Sequence, residues 1–167
     1  MRSQLIAVSA AVLLAFSLTG CITIQLPGGG TPVTAPDDNN NNSQVLTCSD
    51  DEQITESGSY VLEGACPSVT IEGVDIDVEA DTVVQLIIRG DRNSVDVDRL
   101  SDVTVSGTSN EVEAPSAAQV EIAGDRNKVD VDEGIEALVI NGNDNDIEVG
   151  TEITTVSDSG ERNQIGH

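Results

Sequence analysis

Aromatic residues are nearly missing: the chain has Tyr60, Phe16 and no Trp. A core centred on rings, and a carbohydrate site built on stacked rings, are both excluded. Histidine is reduced to His167, which leaves no His-based triad and no His-rich metal site. Basic residues are scarce as well, with 7 Lys+Arg against 30 Asp+Glu and a net charge of -23. Nucleic acid and anionic headgroups are held by excess positive charge, so neither is a partner by charge. The chain has 167 residues, room for one domain.

The first residues read as an address. Met1-Arg2-Ser3-Gln4 is a short basic start, and Leu5 to Ser17 is mostly apolar. That is the layout of a secretory signal, and the apolar run is too short to span a bilayer comfortably. Leu18-Thr19-Gly20-Cys21 follows and resembles the lipobox of bacterial lipoproteins. The resemblance implies a signal peptide over 1–20, cleavage before Cys21, and acylation of that cysteine, palmitate included. Two or three acyl chains give stable attachment where a single chain is marginal. Ile22 stands where an Asp tends to retain such lipoproteins at the inner membrane. The expected location is therefore the bacterial cell envelope, at the outer membrane of a Gram-negative cell.

Residues 21–45 read as the lipidated cysteine and a flexible tether. Pro27-Gly28-Gly29-Gly30, Pro32, Pro36 and the run Asp37-Asp38-Asn39-Asn40-Asn41-Asn42 carry no apolar period. As a coil, such a tether holds a domain ~25–30 Å from its anchor.

The rest is a repeat. Gly90-Asp91-Arg92-Asn93, Gly107-Thr108-Ser109-Asn110, Gly124-Asp125-Arg126-Asn127, Gly142-Asn143-Asp144-Asn145 and Gly160-Glu161-Arg162-Asn163 recur at Gly spacings of 17, 17, 18 and 18. Gly73 opens a degenerate copy in which Ile76 takes the Asn place. An aliphatic follows each Asn by two residues: Val95, Val112, Val129, Ile147 and Ile165. Pairs such as Leu86/Ile88 and Val103/Val105 precede each Gly from Gly73 to Gly142, and Val83, Leu100, Ala117, Ile135 and Ile153 lie seven before the Gly of their own copy. Alternating β-branched residues on a fixed short period predict a solenoid. The expected fold is all-β, a single-stack parallel β-solenoid of about five to six coils of 17–18 residues over 73–167. Its handedness is open, with a right-handed coil the default for parallel connections. Glycine is expected to supply φ > 0 in each turn.

Alternation points each Asn inward, as Ile76 at the equivalent place allows. Asn93, Asn110, Asn127, Asn145 and Asn163 are thus expected to form an internal ladder, bonded coil to coil. Gly-x-x-Asn-x-Val repeats behind a two-cysteine segment and a lipoprotein signal resemble a family of small bacterial envelope proteins of unknown function. The resemblance covers about 46–167. It implies a β-solenoid and no known activity.

Three cysteines leave one unpaired in an oxidising compartment, and acylating Cys21 leaves Cys48 and Cys66 as a disulfide pair. This pair is expected to pin 46–72, with Ile54, Tyr60, Val61 and Leu62, as a cap on the first coil. At the other end no cap is visible, so self-association through the last coil is expected.

The outer faces differ. Four, six and eight residues after each Gly from Gly73 to Gly142, eleven of fifteen positions are carboxylates. Glu79, Asp96, Glu113, Asp130 and Glu148 fill one column and are the candidate ligands for a cation, Ca²⁺ by their oxygen chemistry. Before each Gly the outward positions are small and neutral, with four of eighteen charged. No one-off constellation interrupts the repeat, as a catalytic site would. Arg92, Arg126 and Arg162 are expected to balance Asp91, Asp125 and Glu161 locally. The leading functional reading is a non-enzymatic module on a lipid anchor, facing an envelope protein or polymer. A calcium-binding surface protein comes second, and a small polysaccharide-active enzyme third.

Overall fold

The computed structural model describes residues 43–166. The signal segment, Cys21 and the tether as far as residue 42 lie outside the described residues. Among the described residues there is no helix, and the strands form one parallel β-solenoid of about seven turns. They are β1 (Gln44–Thr47), β2 (Glu52–Ile54), β3 (Gly58–Ile71), β4 (Ile76–Ile88), β5 (Ser94–Val97), β6 (Leu100–Val105), β7 (Glu111–Ala114), β8 (Ala117–Ile122), β9 (Lys128–Val131), β10 (Ile135–Ile140), β11 (Asp146–Val149), β12 (Ile153–Asp158) and β13 (Gln164–Gly166).

A middle coil has a strand of four residues, a corner, a strand of six and the Gly-x-x-Asn turn. The short strands stack as β4-β5-β7-β9-β11-β13 and the long ones as β4-β6-β8-β10-β12, with β4 bending through both sheets. Register keeps like residues in file. Val78, Val95, Val112, Val129, Ile147 and Ile165 are successive partners, as are Leu86, Val103, Val120, Leu138 and Val156. Period-two alternation buries these files, except at their last members Ile165, which is half-buried, and Val156, which is exposed, and turns the residues between them outward. Each fully buried Val, Leu or Ile contributes ~1.5–3 kcal/mol, so the thin core is spread evenly along the axis.

The change from 17 to 18 residues per coil falls in the corner. Pro115-Ser116 joins β7 to β8, whereas Asp132-Glu133-Gly134 joins β9 to β10. Both sheets therefore keep their register across the added residue.

The turn count exceeds the five to six coils expected, because the segment 46–72 read as a cap is itself stacked. β1 and β2 pair in parallel with β3, and β3 pairs with β4 along its length. Ile54, Tyr60 and Leu62 lie buried in the core rather than over its end, and Val61 is half-buried. Cys66 partners Val83 on the corner file, and its disulfide to Cys48 ties the first coil to the second. These coils escaped the motif because Gly58 partners Ile76 where later coils carry Asn.

The glycines of the repeat do a different job from the one expected. Positive φ belongs to the residue before each Asn, and before Ile76 in the degenerate copy: Asp75 (57°), Arg92 (56°), Ser109 (59°), Arg126 (55°), Asp144 (57°) and Arg162 (59°). Only Gly58 and Gly64 among the described glycines have positive φ. Gly90, Gly107, Gly124, Gly142 and Gly160 are glycine because coils touch there. A Cβ would stand 1.7–1.8 Å from the carbonyl oxygen of the matching glycine one coil back. Close backbone approach, not left-handed φ, selects the residue.

Candidate functional site

The turns form a continuous hydrogen-bonded edge. Each Asn is buried, or half-buried for Asn163. The backbone N–H groups of Ile76, Asn93, Asn110, Asn127 and Asn145 donate to Oδ1 of the Asn in the next coil at 2.8–2.9 Å. Each Nδ2 donates twice. One hydrogen bond goes back to the glycine carbonyl of the preceding coil, as from Asn127 to Gly107 at 3.0 Å. The other goes forward to the next Asn Oδ1, as from Asn127 to Asn145 at 3.2 Å, except at Asn163, where Asp158 accepts it. Among the described residues no buried side-chain polar atom is left without a partner. The amides are used up by the stack itself, so this file holds coils together and offers nothing to a ligand.

Outside that file runs a second column. The N–H of Thr108 donates to Asp91, that of Asn143 to Asp125, and that of Glu161 to Asn143 Oδ1, at 2.7–2.9 Å. Arg92 and Arg162, two of the left-handed residues, carry ion pairs between coils. Arg92 donates through two nitrogens to Asp75 at 2.8 and 3.0 Å. Arg162 does the same to Asp144 at 2.5 and 2.6 Å. These pairs bridge neighbouring coils, whereas local balance with Asp91, Asp125 and Glu161 was expected. Arg162 also reaches its adjacent Glu161, at 3.3 Å. Hydrogen bonds from Arg92 and Arg162 hold the carboxyls of Asp75 and Asp144 below the ordinary aspartate value. Their contribution is present above the unfolded aspartate pKa and is lost as pH falls through the lowered folded value. Both pairs are exposed, so each contributes little at ordinary ionic strength.

The acidic column is in direct register. Glu79, Asp96, Glu113, Asp130 and Glu148 are successive partners on the outer face of the short-strand sheet, and Gly166 ends the file. Beside it Lys128 donates to Glu111 at 3.0 Å, which raises the lysine pKa, with Asp130 and Glu148 adding to the effect. Asp81, exposed, accepts a hydrogen bond from the Gly64 N–H at 3.1 Å. A hollow of about 190 Å³ is lined by Val61, Leu62 and Ala80 and by the carboxylates Glu79, Asp81, Asp96 and Asp98. That is smaller than the ~300–1,000 Å³ of small-molecule sites. Among the described residues no three His, Cys, Asp or Glu side chains converge to hold a metal ion. The column supplies carboxylates in line along an axis, whereas Ca²⁺ takes six to eight oxygens around a point.

The long-strand sheet presents its outward files in register too: Ser68, Gln85, Asp102, Gln119, Ala137 and Thr155, beside Thr70, Ile87, Thr104, Glu121, Val139 and Ser157. Val84, at its margin, is 49 % exposed. The molecule thus carries an anionic wall on one sheet and a flat, mostly neutral wall on the other. Comparison with family models, with curated proteins and with solved structures finds no match to this chain.

Proposed function

We propose that this is a non-enzymatic, lipid-anchored protein of the bacterial envelope, whose solenoid is a rigid module displaying an acidic wall to an envelope protein or polymer. The observation that carries the reading is the registry of the outer files. Each lateral position recurs from coil to coil, so Glu79, Asp96, Glu113, Asp130 and Glu148 stand ~4.8 Å apart along one line. A straight row of like charges attracts an extended or patterned cationic surface from a distance. The lipobox resemblance at Leu18-Thr19-Gly20-Cys21 supports the anchor, and the Pro-, Gly- and Asn-rich composition before β1, which begins at Gln44 and so shortens the tether expected over 21–45, supports display away from a membrane.

The anchor is tested by expressing the full chain in a bacterial host with labelled palmitate. The chain should take up label and sediment with membranes, and Cys21→Ser should abolish the label. A wild-type chain that takes no label, or a Cys21→Ser variant that keeps it, overturns the reading.

A further inference from the structure

The inner file of the long-strand sheet changes character at the last described coil. Ile54, Ile71, Ile88, Val105, Ile122 and Ile140 hold it in six successive coils, each buried. The next partner in register is Asp158. Its Oδ1 accepts from the Gly160 N–H at 2.9 Å and from Asn163 Nδ2 at 2.9 Å. The second of these bonds completes the ladder. Asn93, Asn110, Asn127 and Asn145 each give one Nδ2 hydrogen to a glycine carbonyl and the other to the following Asn. Asn163 keeps the first, to Gly142 at 3.0 Å, and gives the second to Asp158.

Around Asp158 the coil is open. Val156 is 47 % exposed, Ile153 and Ile165 are half-buried, and β12 and β13 are the outermost strands of their sheets. Apolar residues between two free strand edges make a template for another chain. The surface continues the one that each coil of this chain presents to the next, so the matching occupant is a second copy of the same chain.

We propose that Asp158 is the stop residue of the stack: it closes the asparagine ladder and keeps this end from accepting a second copy. A coil laid on β12 would bury the carboxylate where a β-branched aliphatic belongs, and burying an unpaired charge is strongly unfavourable. Arg162, the nearest cation in the turn, is committed to Asp144. The proposal runs against the sequence-based expectation that this end self-associates.

The test is sedimentation of the full chain, processed in a bacterial host and purified in detergent, over a concentration series. Far-UV circular dichroism reports folding of each variant. Wild type should stay monomeric. Asp158→Ile completes the apolar file and should associate at concentrations at least about tenfold lower than wild type. Asp158→Asn keeps an acceptor without the charge and should also associate. Asp158→Lys restores charge without the acceptor and should remain monomeric with a lower melting temperature. A folded Asp158→Ile variant that sediments like wild type overturns the proposal. So does a wild-type chain whose own association is abolished by Val156→Lys.

Discussion

In the middle of the stack, Gly107 and Gly124 each lie against the carbonyl of the glycine one coil back, and Asn110 and Asn127 each accept the N–H of the coil before. At the N-terminal end Thr55 offers the carbonyl that Gly73 lies against, and Gly58 and Ile76 occupy the asparagine file. Both departures follow from polarity. The glycine rule applies to a residue with a coil on its N-terminal side, so the first coil can carry Thr55. An Asn serves the coil before it, and the residue that position 76 would serve, Gly58, already donates its N–H to the Asp75 carbonyl at 3.3 Å. Where hydrogen bonds thin out, the Cys48–Cys66 disulfide closes a loop of 18 residues, worth ~3 kcal/mol in the chain-entropy model. At the far end Asp158 does the closing. A periodic fold is thus specified twice, by the repeat and by the residues that end it.

The largest effect expected from breaking the middle is at the glycines. A Cβ on Gly124 stands 1.8 Å from the Gly107 carbonyl oxygen, which is backbone and cannot turn away. Gly124→Ala should cost about 4 kcal/mol or more, or prevent folding. Gly134 lies in the enlarged corner, where a Cβ meets its nearest atom at 3.0 Å. Gly134→Ala should stay within ~1 kcal/mol of wild type, helped by the stiffer unfolded chain. Chemical denaturation of the two variants measures the contrast, and equal losses would refute the close-contact account.

A smaller effect separates a middle Asn from the last. Asn127→Ala removes the acceptor for the Asn110 N–H and side chain and the donor to Gly107. These groups stay buried, so the loss should be ~3 kcal/mol. Asn163 is half-buried, and water can replace what Asn163→Ala removes, so ~1 kcal/mol is expected there. Thermal melts of both variants decide it, and equal small losses would mean the ladder contributes little.

How much of this was readable in advance depends on the signal each feature leaves. Inward aliphatics and asparagines announce themselves by recurrence, and Val83, Leu100, Ala117 and Ile135 are buried as their spacing requires. The two outer walls follow from the same alternation. The first two coils left no motif, since Thr55 and Gly58 replace its invariant positions. The role of glycine was misread because a single chain shows turn propensity, and a carbonyl one coil away is invisible in it. Arg92 was assigned to its neighbour Asp91 for the same reason, when its partner Asp75 lies 17 residues back. Asp158 breaks an otherwise aliphatic file, and that break was the available signal for the end of the ladder.

The smallest effect lies on the acidic file, and it too separates middle from end. Glu113 has carboxylates on both sides, Asp96 and Asp130, whereas Glu148 has Asp130 on one side and Gly166 on the other. Two unit charges at strand spacing repel by ~0.9 kcal/mol in bulk water, before side chains splay and salt screens them. Glu113→Gln should therefore raise the melting temperature slightly at low ionic strength, and Glu148→Gln by about half as much. Added NaCl should raise the wild-type melt and shrink both gains. Millimolar CaCl2 at matched ionic strength should do no more than NaCl, because the file offers no convergent set of ligands. A larger Ca²⁺ shift that Glu113→Gln removes would show chelation between coils and restore the metal-binding reading. Equal gains from the two Gln variants would mean that the charges act as a diffuse surface field rather than through their nearest partners in the file.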